Sequence, residues 1–118
     1  MLEIKATFFP FRLKLSRREP VQLKFSITNV GKETEMVSYE VSTNTALSFD
    51  STGFKAKIMN RIGSMEPGKG TEQYADLFPK PYLREGTHKM TISATEHYKN
   101  YDFVKRQYTK TLELIIDP

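Results

Sequence analysis

The sequence predicts an all-β protein that folds as an antiparallel β-sandwich of seven or eight short strands. The stretch from Val21 to Thr28 alternates strictly between apolar and polar residues, which is the pattern of a strand with one buried face. Turn residues recur at spacings of roughly 8 to 12 residues, as they do in β-sandwiches. No segment has the apolar periodicity of an amphipathic helix of useful length.

The first strand is predicted to be an interrupted edge strand. Residues 2–8 alternate, and the pattern breaks at Pro10 because proline has no N–H to donate to a neighbouring strand. Leu13 and Leu15 then resume the alternation. Such a break is typical of an edge strand that must not pair with other molecules.

The strand at residues 21–28 is predicted to pair with its successor. The turn Asn29–Gly31 follows it, because Asn and Gly tolerate positive φ, and residues 37–41 form the next strand. We expect these two strands to be antiparallel neighbours. The remaining strands predicted from alternation are residues 47–49, 54–62, 71–78, 88–95 and 112–116. We expect the second, the sixth or seventh, and the last strand to be central.

The apolar faces of these strands predict one core between two sheets. The strand at residues 71–78 allows two orientations, with either Ala75 and Leu77 or Tyr74 and Phe78 pointing inward. The predicted core residues are Val21, Leu23, Phe25, Ile27, Tyr39, Ile58, Met90, Ile92, Leu112 and Leu114. Met65 is predicted to anchor the loop 62–70 to this core.

Length and composition limit the classes of function. A chain of 118 residues predicts one domain, residues 1–118, with a core large enough to need no covalent staples. It has no cysteine, so it contains neither a disulfide framework nor a thiolate metal site. No secretory signal or apolar run of roughly 20 residues is visible, so we expect a cytoplasmic protein with no membrane partner.

The net charge of +4 comes from 18 basic and 14 acidic residues scattered along most strands. A dedicated nucleic-acid binder concentrates its basic residues on one face. We therefore do not expect nucleic acid to be the main partner. Instead, we expect another protein as the partner, and a monomer or weak homodimer.

Three segments carry a family resemblance. They are V-Q-L-K-F-S-I-T-N-V-G-K at residues 21–32, M-E-P-G-K-G at residues 65–70 and R-E-G-T-H-K-M-T-I-S-A at residues 84–94. They resemble the immunoglobulin-like domains typified by the cell-adhesion-related domain of bacteria and archaea. The resemblance implies an immunoglobulin-like sandwich that binds proteins or sugars. The chain departs from such sandwiches at His88, where they often place a tyrosine that bonds to upstream backbone.

A second resemblance rests on the pattern G-x-x-x-x-x-Y-x-D at residues 68–76. It is similar to the small intracellular proteinase-inhibitor sandwiches of the Bacillus type. This resemblance implies proteinase inhibition as an alternative function.

The sequence predicts no enzyme, no cofactor and no metal site. His88 and His97 are nine residues apart on one predicted strand, which is too far for them to share a metal ion. No nucleophile, phosphate-loop or zinc motif occurs. The segment Asp50–Gly53 lacks the alternating carboxylates of a calcium loop, so it is predicted to be a turn.

The segment from residue 96 to 106 is the candidate binding site, at one end of the sandwich. It combines aromatic and basic side chains, which are enriched at protein-binding hot spots. The candidate residues are Tyr98, Lys99, Tyr101, Phe103, Lys105 and Arg106. Alternatively, Tyr101 and Phe103 extend a hairpin and cap the core.

We therefore predict a non-enzymatic adaptor or accessory module that binds a protein through loops at one end of the sandwich. Proteinase inhibition is the alternative, and weak binding of carbohydrate or single-stranded nucleic acid is a third hypothesis. Lys55, Lys57 and Arg61 form a separate basic stripe on another strand. On an edge strand such residues more often prevent aggregation than bind a ligand.

Overall fold

The computed structural model describes residues 1–118 and contains nine strands and no helix. In chain order the strands are β1 (Leu2–Phe9), β2 (Arg12–Lys14), β3 (Val21–Asn29), β4 (Glu35–Thr43), β5 (Leu47–Ser48), β6 (Lys57–Met65), β7 (Gly70–Pro79), β8 (Gly86–Tyr98) and β9 (Asn100–Asp117). The prediction of an all-β protein is confirmed. The chain contains no helix that could cross a membrane.

The strands form two sheets packed together. One sheet has the order β1-β3-β7-β5, and the other has the order β2-β9-β8-β4-β6. Every pairing is antiparallel except that of β2 with β9. The sandwich-like arrangement is therefore confirmed, whereas the immunoglobulin-like type is not.

The strand count is nine rather than the predicted seven or eight, because the interrupted first strand is two strands in different sheets. β1 lies at the edge of the four-stranded sheet, and β2 lies at the edge of the five-stranded sheet. The chain changes sheets between them, around Pro10. The prediction that both pieces are edge strands is therefore correct.

The predicted pairing of the strands at residues 21–28 and 37–41 is wrong. β3 pairs with β1 and β7, whereas β4 pairs with β6 and β8. Asn29 explains the difference, because its buried amide donates hydrogen bonds to the carbonyls of Glu33 (2.7 Å) and Met65 (2.9 Å). This side chain organises a crossing between the sheets rather than a tight hairpin.

One core of 22 buried apolar residues fills the space between the sheets. The predicted core residues belong to it, except that Ile58 is only partly buried and packs against it. The orientation of β7 is settled, since Ala75 and Leu77 are buried and Tyr74 is exposed. Met65 is buried as well, at the end of β6.

β6 begins at Lys57, three residues later than predicted. Phe54, three residues before β6, is exposed, and the carboxylate of Asp50 holds a turn there. Asp50 accepts hydrogen bonds from the backbone N–H groups of Gly53, Phe54 and Lys55. The prediction of a turn at residues 50–53 is confirmed.

Candidate functional site

The candidate site lies at the end of the long β8–β9 hairpin. The two strands pair from Gly86 with Ile116 as far as Tyr98 with Asn100, and the chain reverses at Lys99, whose φ is +65°. The predicted loop at residues 96–106 is therefore mostly strand. β4 pairs with β8 only as far as His97. Residues 98–103 project beyond this neighbouring strand, and we call residues 97–106, which contain them, the hairpin end.

One side of the hairpin end carries an exposed aromatic pair. The rings of Tyr98 and Phe103 lie 5.2 Å apart between centroids, at an angle of 33°. Tyr98 is the last residue of β8 and pairs with Asn100 at the turn. Tyr98 is 48% exposed and Phe103 is 42% exposed. The structure thus brings together two of the predicted site residues on a solvent-facing surface.

The other side of the hairpin end is built around His97, which is 7% exposed. Its Nε2 lies 2.7 Å from the Ser38 hydroxyl, and its Nδ1 lies 3.2 Å from the Phe103 carbonyl oxygen. A carbonyl only accepts, so Nδ1 carries the proton in this bond, and in the neutral ring Nε2 accepts from Ser38. These bonds fasten the hairpin end to β4.

Tyr101 lies on this second side, away from Tyr98 and Phe103. Its ring meets the His97 ring edge-on, with centroids 5.1 Å apart. The guanidinium carbon of Arg61, on β6, lies 4.6 Å from the centroid of the Tyr101 ring. The predicted aromatic residues therefore do not form one cluster, and Tyr101 belongs to a separate constellation.

Outward-facing side chains around this constellation line a cleft of about 610 Å³ on the outer surface of the five-stranded sheet. β4, β6, β8 and β9 all contribute to it. The lining includes Ser38, Met59, Arg61, Thr95, Val104 and Gln107 besides His97 and Tyr101. Sequence reasoning missed this cleft, because the register between the strands decides which outward residues meet.

The three predicted basic residues have different environments. The ammonium of Lys105 lies 2.8 Å from the buried carboxylate of Glu35 and 3.8 Å from that of Glu33. Its hydrogen bond with Glu35 is the main cause that raises the pKa of Lys105 above its ordinary value. Lys99 and Arg106 are exposed. Lys105 is thus engaged in ion pairs, while Lys99 and Arg106 form none.

The three residues of the predicted basic stripe, Lys55, Lys57 and Arg61, also have different environments. β6 is an edge strand, as expected. Lys57 forms an ion pair with Glu40 at 3.0 Å, and Lys55 precedes the strand. Arg61 alone reaches the cleft.

The other histidine, His88, forms hydrogen bonds within the fold. His88 Nε2 lies 2.9 Å from the carbonyl oxygen of Arg84, and its Nδ1 lies 2.8 Å from the amide nitrogen of Asn44. The imidazole therefore bonds to upstream backbone. No group of three or more His, Cys, Asp or Glu side chains is placed to hold a metal ion.

Comparison with known proteins gives structural neighbours only. No protein-family model and no curated protein matches the sequence. AvmM, which catalyses macrocyclization in alchivemycin A biosynthesis, has a similar structure with a TM-score of 0.60 and 8% identity; the match covers 99% of this chain and 90% of AvmM. The sporulation control protein Spo0M of Bacillus subtilis matches with a TM-score of 0.53 and 10% identity, over 99% of this chain and 49% of Spo0M.

A third neighbour is the alkylpurine DNA glycosylase AlkC of Pseudomonas fluorescens, solved with DNA that contains an abasic site analog. Its TM-score is 0.50 at 14% identity, over 99% of this chain and 30% of AlkC. These three proteins have unrelated or unclear functions. At such identities the likeness indicates the fold alone.

The neighbours overturn the resemblance to the cell-adhesion-related domain, because AvmM and Spo0M are not immunoglobulin-like adhesion domains. That resemblance rested on turn residues, which many β-sandwiches share. The second resemblance receives weak support for its fold alone, since Spo0M is a Bacillus protein of similar fold.

Proposed function

We propose that this protein is a non-enzymatic interaction module that binds an acidic segment of another protein through the hairpin end. The observation that carries the proposal is the exposed pair of Tyr98 and Phe103, with ring centroids 5.2 Å apart. Aromatic side chains in contact with solvent on a rigid element are the usual anchors of protein interfaces. A monomer or weak homodimer and a cytoplasmic location stay predictions.

The hairpin itself supports a preformed binding surface. Backbone pairing of β8 with β9 continues to Tyr98, so the rings need little ordering when a partner arrives. Lys99, next to Tyr98 in the chain, and Arg106, on β9, are both exposed. Their charges favour carboxylates on the partner and speed its approach.

The test compares Tyr98→Ala and Phe103→Ala with the wild type in capture of protein from source-cell lysate, after nuclease treatment. Tyr74→Ala is the matched control, because Tyr74 is 56% exposed on the other sheet. We expect one partner that both hairpin variants lose and the control retains. The purified partner should bind less tightly as salt rises. Equal capture by all variants contradicts the proposal.

The same preparations separate the alternative functions. A proteinase inhibitor slows a subtilisin-like proteinase at stoichiometric concentration and stays uncleaved. A binder of single-stranded nucleic acid loses its ligand on nuclease treatment and shows a steep dependence of affinity on salt. Either result replaces the adaptor proposal.

A further inference from the structure

We propose that the cleft on the outer surface of the five-stranded sheet binds a small organic acid that has an aromatic or similarly apolar body and one carboxylate. Arg61 is the residue that receives the carboxylate. This site lies on the other side of the hairpin end from Tyr98 and Phe103, so the proposal is independent of the protein-binding function.

The charge balance of the cleft selects an anion. Glu40 is the carboxylate in its lining, and this group is paired with Lys57 at 3.0 Å. Arg61 has no carboxylate within 4 Å. Its planar fork of N–H donors is therefore free, and a carboxylate is the group that accepts two such bonds at once.

A chain of contacts holds Arg61 in place. The guanidinium stacks on Tyr101, whose ring packs against His97, and His97 is in turn bonded to Ser38 and to the Phe103 carbonyl. The cation is thus fixed by packing on a ring rather than by an opposite charge. Such an arrangement orients the cation without using up its hydrogen-bond donors.

The size and the walls of the cleft define the rest of the ligand. A volume of about 610 Å³ lies within the usual range for small-molecule sites. Met59 and Val104, which are 67% and 57% exposed, offer apolar surface beside Arg61. The hydroxyl of Thr95 and the amide of Gln107 add polar groups to the lining. An aromatic carboxylate matches this combination of one cation and apolar walls.

The test is titration of the whole protein with benzoate and with benzamide, followed by backbone amide shifts in NMR spectra. The two probes have the same shape, and benzoate alone carries a charge. We expect benzoate to shift the amides of β4, β6 and the hairpin end and to bind about tenfold more tightly than benzamide. Equal affinities, or shifts spread over the whole surface, overturn the proposal.

Two variants and a matched control locate the site. Arg61→Gln should weaken benzoate binding about tenfold, and Tyr101→Leu should weaken it by a smaller factor, since the cation remains but loses its platform. Lys55→Gln removes one charge from the same edge outside the cleft and should leave binding unchanged. If Lys55→Gln and Arg61→Gln lose the same amount of benzoate affinity, the protein attracts anions in general, and this result refutes the site. Tyr98→Ala should bind benzoate normally, which keeps this result separate from the protein-binding proposal.

Discussion

The ring of Phe25 on β3 meets the ring of Tyr39 on β4 edge-on, with centroids 5.2 Å apart and an angle of 71° between the rings. The two strands belong to different sheets, so the contact spans the core. Both residues are buried, and the Tyr39 hydroxyl accepts a hydrogen bond of 3.1 Å from the Asn60 amide. The pair ties the two sheets together without leaving a buried hydroxyl unsatisfied.

Replacing Phe25 by Ala should therefore lower the free energy of unfolding by about 3 to 5 kcal/mol, because a large cavity opens between the sheets. Phe25→Leu should cost about 1 kcal/mol, since most of the volume is kept. Urea unfolding followed by circular dichroism measures both values. Tyr74→Ala, on the exposed side of β7, is the control and should stay within about 0.5 kcal/mol of wild type. A small loss of unfolding free energy in Phe25→Ala contradicts the packing of this ring between the sheets.

Asp50 should make stability depend on pH in the acid range. Hydrogen bonds, first of all the one from the Ser48 hydroxyl, lower the pKa of Asp50 from 3.8 to about 2. A lowered pKa means that the folded state favours the carboxylate, so its contribution is complete above 3.8 and is lost as pH falls through about 2. Asp50→Asn should unfold at lower urea than wild type at neutral pH.

The difference between wild type and Asp50→Asn should shrink as the pH falls from about 4 to about 2. Urea midpoints at neutral pH and at both acid values provide the check. Ser51→Ala, in the same turn, is the control for a local change that leaves the hydrogen bonds to Asp50 intact. A constant difference across this range contradicts the assigned role of the carboxylate.

The ion pair of Lys105 with Glu35 should make stability depend on pH in the alkaline range. The pKa of Lys105 is raised above 10.5, chiefly by its hydrogen bond with Glu35. The stabilisation is therefore complete below 10.5 and is lost as pH rises through the raised pKa of the folded state. Lys105→Met should unfold earlier than wild type at neutral pH, because it leaves the buried Glu35 carboxylate without its partner.

Adding Glu35→Gln to Lys105→Met should recover part of this loss, because the unpaired charge is removed. Melting temperatures of wild type and the two variants at neutral pH, and of wild type and Lys105→Met above the ordinary lysine pKa, test the pair. If the difference in melting temperature between wild type and Lys105→Met is the same at both pH values, titration of Lys105 does not contribute to stability.

Tyr98 and Tyr101 should respond differently to truncation. Tyr98→Ala should change the free energy of unfolding by less than about 1 kcal/mol, since the ring is half exposed, and should cost binding of the partner roughly 2 kcal/mol or more. Tyr101→Ala removes contacts with His97 and Arg61 and should lower stability more. Calorimetric titration with the partner and urea unfolding on the same samples give both quantities. Losses of about 3 kcal/mol in stability for both variants would exclude the hairpin end as the binding site.

The hydrogen bond between Ser38 and His97 invites a test for hydrolysis. A nucleophile and base of this kind are usually oriented by a third group, often a carboxylate, whereas here Nδ1 bonds to a backbone carbonyl. We expect p-nitrophenyl acetate to be cleaved at the same slow rate by wild type, Ser38→Ala and His97→Gln. Reproducible activity that both substitutions abolish contradicts a non-enzymatic function.

The alternation along β3 predicts its buried face correctly, because burial of side chains with period two depends only on local sequence. The same alternation does not say which strands are neighbours. β3 and β4 both turn apolar residues toward one core, and that pattern fits two strands in one sheet as well as two facing strands. The buried amide of Asn29, which supports the crossing, looks like an ordinary turn residue in the sequence.

The candidate site was predictable to a smaller extent. The aromatic and basic content of residues 96–106 drew attention to the hairpin end, and the exposure of Tyr98 and Phe103 fits that interpretation. The cleft depends on Ser38, Arg61 and His97, which lie far apart in the sequence. Only the register of β4 against β6 and β8 places them side by side. That register follows from the tertiary structure.

The parallel pairing of β2 with β9 has a consequence for the rate of folding. The Arg12 guanidinium donates a hydrogen bond of 3.1 Å to the Asp117 carboxylate across 105 residues of sequence. Pairings between such distant segments form only after a large loss of chain entropy, and proteins dominated by them fold in milliseconds to seconds. During synthesis β2 leaves the ribosome long before β9. β2 therefore stays without this neighbouring strand until β9 has been made.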